Sequence, residues 1–326
     1  MKFSILKKTL GAALLGAASL LAVQTNAHAQ AFPTQDIRFV CAFPPGSGAD
    51  VIVRYFANAV GKISGHTIVV ENKPGAAGLI ATEYVVRSKP DGHTIFVHAG
   101  SAVSNIPALY AKPPFDARKA LEVAATINRQ PFMILVDAKS PYQTLDELTA
   151  AMKKKGDKAS YATAATTGTV MGEIYKARTG ITAVEVNYKT APDSINDILS
   201  GRIDYAAHDP VFALAQQREG RLRILGVSTG ERLAANPEMK TMKEQGVDMD
   251  LTGWWAAMVP IGTDKAAKAK ITEWFQKAVA MPETKEFLNR FGGDQLQESP
   301  EEADKRLLRD IDLWIEYAKI AKIVPQ

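Results

Sequence analysis

A single cysteine, Cys41, stands in the 326 residues, so no intrachain disulfide can brace the chain. It falls in the apolar run Ile37-Arg38-Phe39-Val40-Cys41-Ala42, where packing as a small hydrophobe is the expected role. Long apolar stretches are equally scarce. Past residue 29 nothing approaches the roughly 18 apolar residues of a membrane-spanning helix. Contiguous catalytic signatures are missing too: there is no G-x-S-x-G elbow, no H-E-x-x-H, no C-x-x-C and no phosphate-binding G-x-x-x-x-G-K. Ser47 does lie between glycines, but at a different spacing. His66, His93, His98 and His208 are too scattered for a metal-ligand motif, and each is expected to be structural. A triad assembled in space stays open, because triads are recognised by geometry rather than chain order.

Net positive charge is scarce once its source is located. Lys2, Lys7 and Lys8 lie in an N-terminal segment without acids, so the formal charge of +4 falls to +1 outside it. No basic block remains, which removes the electrostatic footprint of a nucleic-acid binder. Residues 10–23 continue that segment as an alanine- and leucine-rich apolar run, followed by Ala27-His28-Ala29. Basic start, apolar middle and small residues near the end predict a secretory signal over residues 1–29, cleaved near Ala29 or Gln30. The expected location is therefore periplasmic. The full sequence is 46% hydrophobic and 23% charged, as in soluble globular proteins. Its length suggests about two domains, and without disulfides they must rest on a large core.

The chain is organised around F-P-P-G-S-G-A-D, residues 43–50. Before it lies the apolar run ending at Ala42, read as a buried strand. After it, Ile52, Tyr55, Phe56, Ala59, Val60 and Ile63 fall at helical spacing. Pro44 and Pro45 end the strand, since proline offers the ladder no N–H. Ser47 is placed to cap the helix, and Asp50 sits in its first turn, where a carboxylate is favoured. Free N–H groups at a helix start, beside a hydroxyl, suit an anion such as a carboxylate. An ordinary capped turn accounts for the same residues equally well.

A strand–loop–helix rhythm then repeats. Strands are expected at 66–70, 94–97, 132–136, 159–162, 183–187, 203–207 and 222–228. Helices are expected at 80–87, 145–154, 170–178, up to Leu199, 265–280, 283–291 and 300–322. Such βαβ units form parallel sheets with right-handed crossovers. Loops rich in Gly, Ser or Thr follow the strands at 43–50, 73–78, 100–104 and 163–169, with a fifth at 188–193. Ligands of open α/β sheets bind beyond the carboxyl ends of strands. Neutral donors there hold a carboxylate without a buried countercharge, which resembles a clamp more than a catalytic machine.

Five ordered motifs carry a family likeness. They are F-P-P-G-S-G-A-D at 43–50, V-V-E-N-K-P-G-A-A-G at 69–78, P-D-G-H-T at 90–94, the tyrosine-to-aspartate stretch 188–204, and G-W-W-A-A-M-V-P-I-G-T at 253–263. Together they resemble the substrate-binding component of tripartite tricarboxylate transporters, the Bug family of periplasmic receptors, over nearly the whole mature chain. The resemblance implies an α/β type II periplasmic-binding-protein fold, two α/β lobes with a ligand cleft between them. One lobe would hold residues 30–130 plus 253–326 and the other 131–252, with crossings near Gln130 and Thr252. It also implies that a small carboxylate is held mainly by backbone N–H groups, hydroxyls and water. Ser47, Gly48 and Ala49 would contact it from one lobe, and the loop 164–169 from the other. The strand-end loops add further candidates. The full set is Phe43, Ser47, Gly48, Ala49, Asp50, Ser101, Ala164, Thr166, Thr167, Thr169, Tyr188 and Asp209. Glycines 75–78 suit helix packing or ligand contact.

Two departures stand out: Thr169-Val170 replaces the family's His-Leu at the second-lobe helix, and His93 replaces its commoner aromatic. At Asp209, an acid facing the cleft would disfavour a second carboxylate; a surface strand-end cap explains it as well. The implied partners are a small carboxylate and membrane permease subunits, with no cofactor, no metal, no nucleic acid and a monomeric receptor. Docking on a sensor kinase, or a periplasmic enzyme, are the competing readings.

Overall fold

The computed structural model describes residues 32–326, and the expected signal segment lies outside them. Among the described residues, strands form one six-stranded and one five-stranded sheet. The strands are β1 Ile37–Cys41, β2 Ile68–Asn72, β3 Thr94–Ala99, β4 Leu121–Gln130, β5 Met133–Asp137, β6 Ser160–Thr163, β7 Val184–Asn187, β8 Tyr205–His208, β9 Leu222–Val227, β10 Gly253–Pro260 and β11 Asp294–Gln295. The first sheet has the order β11-β4-β10-β3-β1-β2, the second β7-β6-β8-β5-β9. The helices are α1 Gly48–Ser64, α2 Leu79–Val86, α3 Ser101–Ser104, α4 Ile106–Leu109, α5 Leu145–Lys155, α6 Thr166–Thr179, α7 Ile195–Leu199, α8 Pro210–Arg218, α9 Lys265–Ala280, α10 Pro282–Arg290 and α11 Pro300–Ile320.

Both sheets are mixed, so the parallel pairing that βαβ units predict holds for part of each. Strand β1 runs parallel to β2 and β3, and β6 runs parallel to β7 and β8, as the βαβ units require. Strand β10 runs antiparallel to β3 and β4, and β5 runs antiparallel to β8 and β9. These antiparallel strands are those at which the chain passes from one sheet to the other. A strand entering from the opposite sheet has no crossover helix to turn it round, so it pairs antiparallel. Strand β4 and helix α8 are two elements the periodicity did not reveal. L-E-V-A-A-T-I-N-R-Q is buried at eight of its ten positions, so it lacks alternation. Helix α8 follows a strand with only the N-cap Asp209 between them, and Pro210 at its first position.

The two passages between the sheets are stapled by one side chain. Ser228 is fully buried beside Phe132 and Leu251. The Phe132 amide donates to its hydroxyl at 2.9 Å, and that hydroxyl donates to the Leu251 carbonyl at 2.6 Å. Helix α11 spans both cores. Ala303, Leu307 and Ile311 pack with Val40, Phe96 and Trp254 beside the first sheet. Trp314 and Ala318 continue the same stripe into the core of Tyr161, Tyr175 and Tyr205 beside the second. Spacings of three and four residues keep all five on one helix face. The end of the chain thus serves both sheets, where residues 253–326 were expected to serve one.

Candidate ligand-binding cleft

The first loop is held by its own aspartate. Ser47 Oγ caps α1 by accepting from the Asp50 amide at 3.2 Å. Asp50 is 2% exposed. Its Oδ2 accepts from the Gly46 amide at 2.8 Å and from Arg54 Nε at 2.8 Å. Its Oδ1 accepts from Asn72 Nδ2 at 2.8 Å, and the same amide donates to the Phe43 carbonyl at 2.9 Å. Burial pushes the Asp50 carboxyl up, but Arg54, the Gly46 amide and Asn72 outweigh it and hold it at about 2. Gly46 sits at φ 81°, where a side chain would be strained. Asp50 is therefore occupied as a brace, while Ser47, Gly48 and Ala49 keep partly exposed positions in the first turn. Arg54 lies one helical turn beyond Asp50, a spacing that shows in the sequence. Asn72 reaches the loop only because Cys41 and Asn72 pair in register.

Three helix starts converge on this region. Gly48 approaches Val211 in the first turn of α8 so closely that an added Cβ would lie 3.2 Å from Val211 Cγ1. Gly168, in the first turn of α6, meets the end of β8: an added Cβ would lie 2.5 Å from the Ala207 carbonyl oxygen. The α6 start has Ala165 at its cap, with no side-chain cap bond. Its first-turn amides, at Thr166 and Thr167, have no partner within the helix. At α8 the cap is Asp209, whose Oδ1 accepts from the Val211 amide at 2.9 Å and the Phe212 amide at 3.1 Å. Burial raises the Asp209 carboxyl, with those amides opposing. The strand-end residue singled out in the sequence is thus a helix cap at the meeting point.

Other candidates are turned elsewhere. Thr169 Oγ1 donates to Glu185 at 2.5 Å, together with Thr163. Tyr188 OH donates to Asp197 at 2.8 Å, and burial together with Asp197 pushes it up to about 12. Ala164 packs against the core beside β6 and β8, and Ser101 opens the short helix α3. An added Cβ at Gly78 would lie 3.2 Å from that of Ala102, a packing contact. Phe43 is 44% exposed and stacks on His98 at 5.3 Å.

A serine–histidine pair does occur. Ser194 Oγ lies 3.0 Å from His208 Nε2 and donates to the Ala191 carbonyl at 2.7 Å. That carbonyl takes the only hydroxyl proton, so His208 must donate to Ser194 rather than accept from it. Burial also lowers His208 to about 4. Such a pair holds a turn and does not activate a nucleophile. Among the described residues no group of three or more His, Cys, Asp or Glu side chains gathers at metal-binding distance.

Side chains of the first sheet also bind the segment that follows β9. Asp294 accepts from the amides of Ala234 at 2.9 Å and Ala235 at 2.7 Å. Arg129 reaches from β4 to Glu231 at 2.5 Å and to Asp294 at 3.7 Å. Hydrogen bonds to a charged acceptor contribute about 1.5–3 kcal/mol. Asp294→Ala should therefore speed hydrogen exchange at Ala234 and Ala235 by about tenfold or more, as read by mass spectrometry or NMR. Unchanged protection would show that these amides are held by something else.

Two α/β lobes meeting at three helix starts, one of them without a side-chain cap, define a two-lobed binding protein. The family of tripartite tricarboxylate transporter receptors matches residues 52–313, and the chain belongs to that family. A UPF0065 protein of Bordetella bronchiseptica is 31% identical over 289 residues, covering 88% of this chain and 86% of that one. The solved periplasmic binding protein BugD is 26% identical with TM-score 0.78, covering 90% of this chain and 100% of that one. A Rhodopseudomonas palustris protein solved with adipate is 23% identical with TM-score 0.79, covering 90% of this chain and 100% of its own.

Proposed function

We propose that the chain is a periplasmic receptor that closes its lobes on a small carboxylate and delivers it to permease subunits of a tripartite tricarboxylate-type transporter. The observation that carries this reading is the juxtaposition of the Ser47–Gly48–Ala49 turn with the α8 start, beside an α6 start whose cap residue has no acceptor. Amides at the starts of α1 and α6 favour an anion through their partial positive charge. The division would fall at residues 130/131 and 252/253, the two passages stapled by Ser228, with closure about them. Ser47, Gly48, Ala49, Thr166 and Thr167 would hold the carboxylate, with Phe43 as a wall and Asp50 as the brace behind the loop. The role is capture rather than turnover, which the orientation of the Ser194–His208 pair supports. Export through the N-terminal signal and a monomeric state belong to the same reading. The structural neighbour solved with adipate, a dicarboxylate, supports the ligand class.

The test is a thermal-shift panel of the purified protein against aliphatic monoacids, diacids, tricarboxylates, aromatic acids and acidic amino acids. A ligand at 100 times its dissociation constant stabilises by about 2.7 kcal/mol, a shift of a few degrees at this size. No shift with any acid would overturn the carboxylate reading. Ser47→Ala should weaken the best ligand about tenfold. Because Ser47 also caps α1, the substitution should cost about 1 kcal/mol of stability, more than a plain surface change. Calorimetry and denaturant unfolding read the two effects separately, and an unchanged affinity would remove Ser47 from the clamp.

A further inference from the structure

We propose that the ligand carries a hydroxyl group as well as a carboxylate, and that His98 Nε2 and Trp255 Nε1 read that hydroxyl; this rests on the carboxylate reading above. His98 ends two residues before the Gly100–Ser101 loop, and Trp255 pairs with Ala99 across β3 and β10. The two rings stack with centroids 5.2 Å apart. His98 also stacks on Phe43 at 5.3 Å, which sets the imidazole beside the first loop. His98 is 3% exposed and Trp255 5%. Yet among the described residues neither His98 Nε2 nor Trp255 Nε1 finds a hydrogen-bond partner. Buried polar atoms normally find one, and two adjacent exceptions beside a ligand loop point to a partner that arrives with the ligand.

The protonation state selects the chemistry of that partner. His98 Nδ1 lies 3.4 Å from the Ala99 carbonyl, which can only accept. The proton of the neutral ring therefore sits on Nδ1, and Nε2 presents a lone pair. Burial lowers His98 to about 4, so the ring is neutral at neutral pH. Trp255 Nε1 can only donate. An ammonium would leave the indole unpaired, and a carboxylate would leave the imidazole unpaired. A hydroxyl donates to one and accepts from the other. A site built to bond a hydroxyl rejects the analogue that lacks it, because its own buried groups are then stranded.

The experiment is calorimetric titration with matched acids: glycolate against acetate, lactate against propionate, malate against succinate, and a monoamide diacid as a further arm. The hydroxy acid of the best-bound pair should bind about tenfold or more tightly than its deoxy partner. In His98→Phe and in Trp255→Phe, which keep the ring stack, that ratio should fall to within about twofold, with unfolding midpoints showing that each variant folds. Equal binding of hydroxy and deoxy acids by the unsubstituted protein would overturn the proposal, leaving the carboxylate reading in place. A ratio untouched by both substitutions, or tighter binding of the monoamide, would overturn it as well. If no acid binds any of the three proteins, the carboxylate reading itself fails and the hydroxyl proposal falls with it.

Discussion

Gly168→Ala should lower ligand affinity by about tenfold or more and cost about 2–4 kcal/mol of stability. The new Cβ would lie 2.5 Å from the Ala207 carbonyl oxygen, and both partners are backbone. Neither can rotate away, so the α6 start must retreat from the end of β8. That movement displaces the amides of Thr166 and Thr167, which the proposed clamp needs in place. Gly172→Ala is the matched control. There the added Cβ would lie 2.2 Å from the Tyr161 ring, one helical turn further along and within the core. It should destabilise comparably but leave affinity within about threefold, because a ring edge displaced in the core does not move the helix start. Equal affinity losses in both variants would mean that loss of packing, not displacement of the α6 start, governs binding.

Asp50→Ala should be the most damaging change in the first loop. It strips the Gly46 amide, Arg54 and Asn72 of a shared acceptor. About 2–3 kcal/mol of stability should be lost, limited by water reaching the half-exposed Arg54. Affinity should fall further than in Ser47→Ala, since the whole turn loses its anchor. The carboxyl sits at about 2 in the folded protein against an ordinary value of 3.8. A depressed carboxyl adds stability that is fully present above the ordinary value and lost as pH falls through the folded one. Asp50 should therefore contribute about 1–2 kcal/mol above pH ~4 that disappears towards pH ~2, after allowance for solvent screening at Arg54. Denaturant unfolding of both proteins at pH 7, 4 and 3 reads this directly. The gap between them should narrow as pH falls, and a constant gap would mean that Asp50 acts through shape and not charge.

The sequence by itself determined the α/β class, most of the helices and the loop at 43–50. Each depends on local chemistry: apolar spacing at Ile52, Phe56, Ala59 and Val60, prolines that stop a strand, a serine that caps. Helix α9 begins and ends where its pattern predicted. The motif order also carried the family, which the match over residues 52–313 shows. Where local signals are weak, an element or its start does not show in the sequence. Helix α6 starts at Thr166, four residues before the expected 170, because Ala165 and the threonines carry no apolar period. Strand β4 showed no alternation because both its faces are covered.

The tertiary structure alone decided which candidates share one place. Thr169 and Tyr188 sit in strand-end loops like the rest, yet their hydroxyls are taken by Glu185 and Asp197. Asp50 looks like a ligand group in sequence and is consumed by Arg54, Asn72 and the Gly46 amide. His98 and Trp255, 157 residues apart in the chain, meet only because β3 and β10 pair antiparallel. Which polar atom is already satisfied is a property of its neighbours in space. Sequence spacing reports those neighbours within a helix turn or along a strand, and long-range pairing supplies the rest.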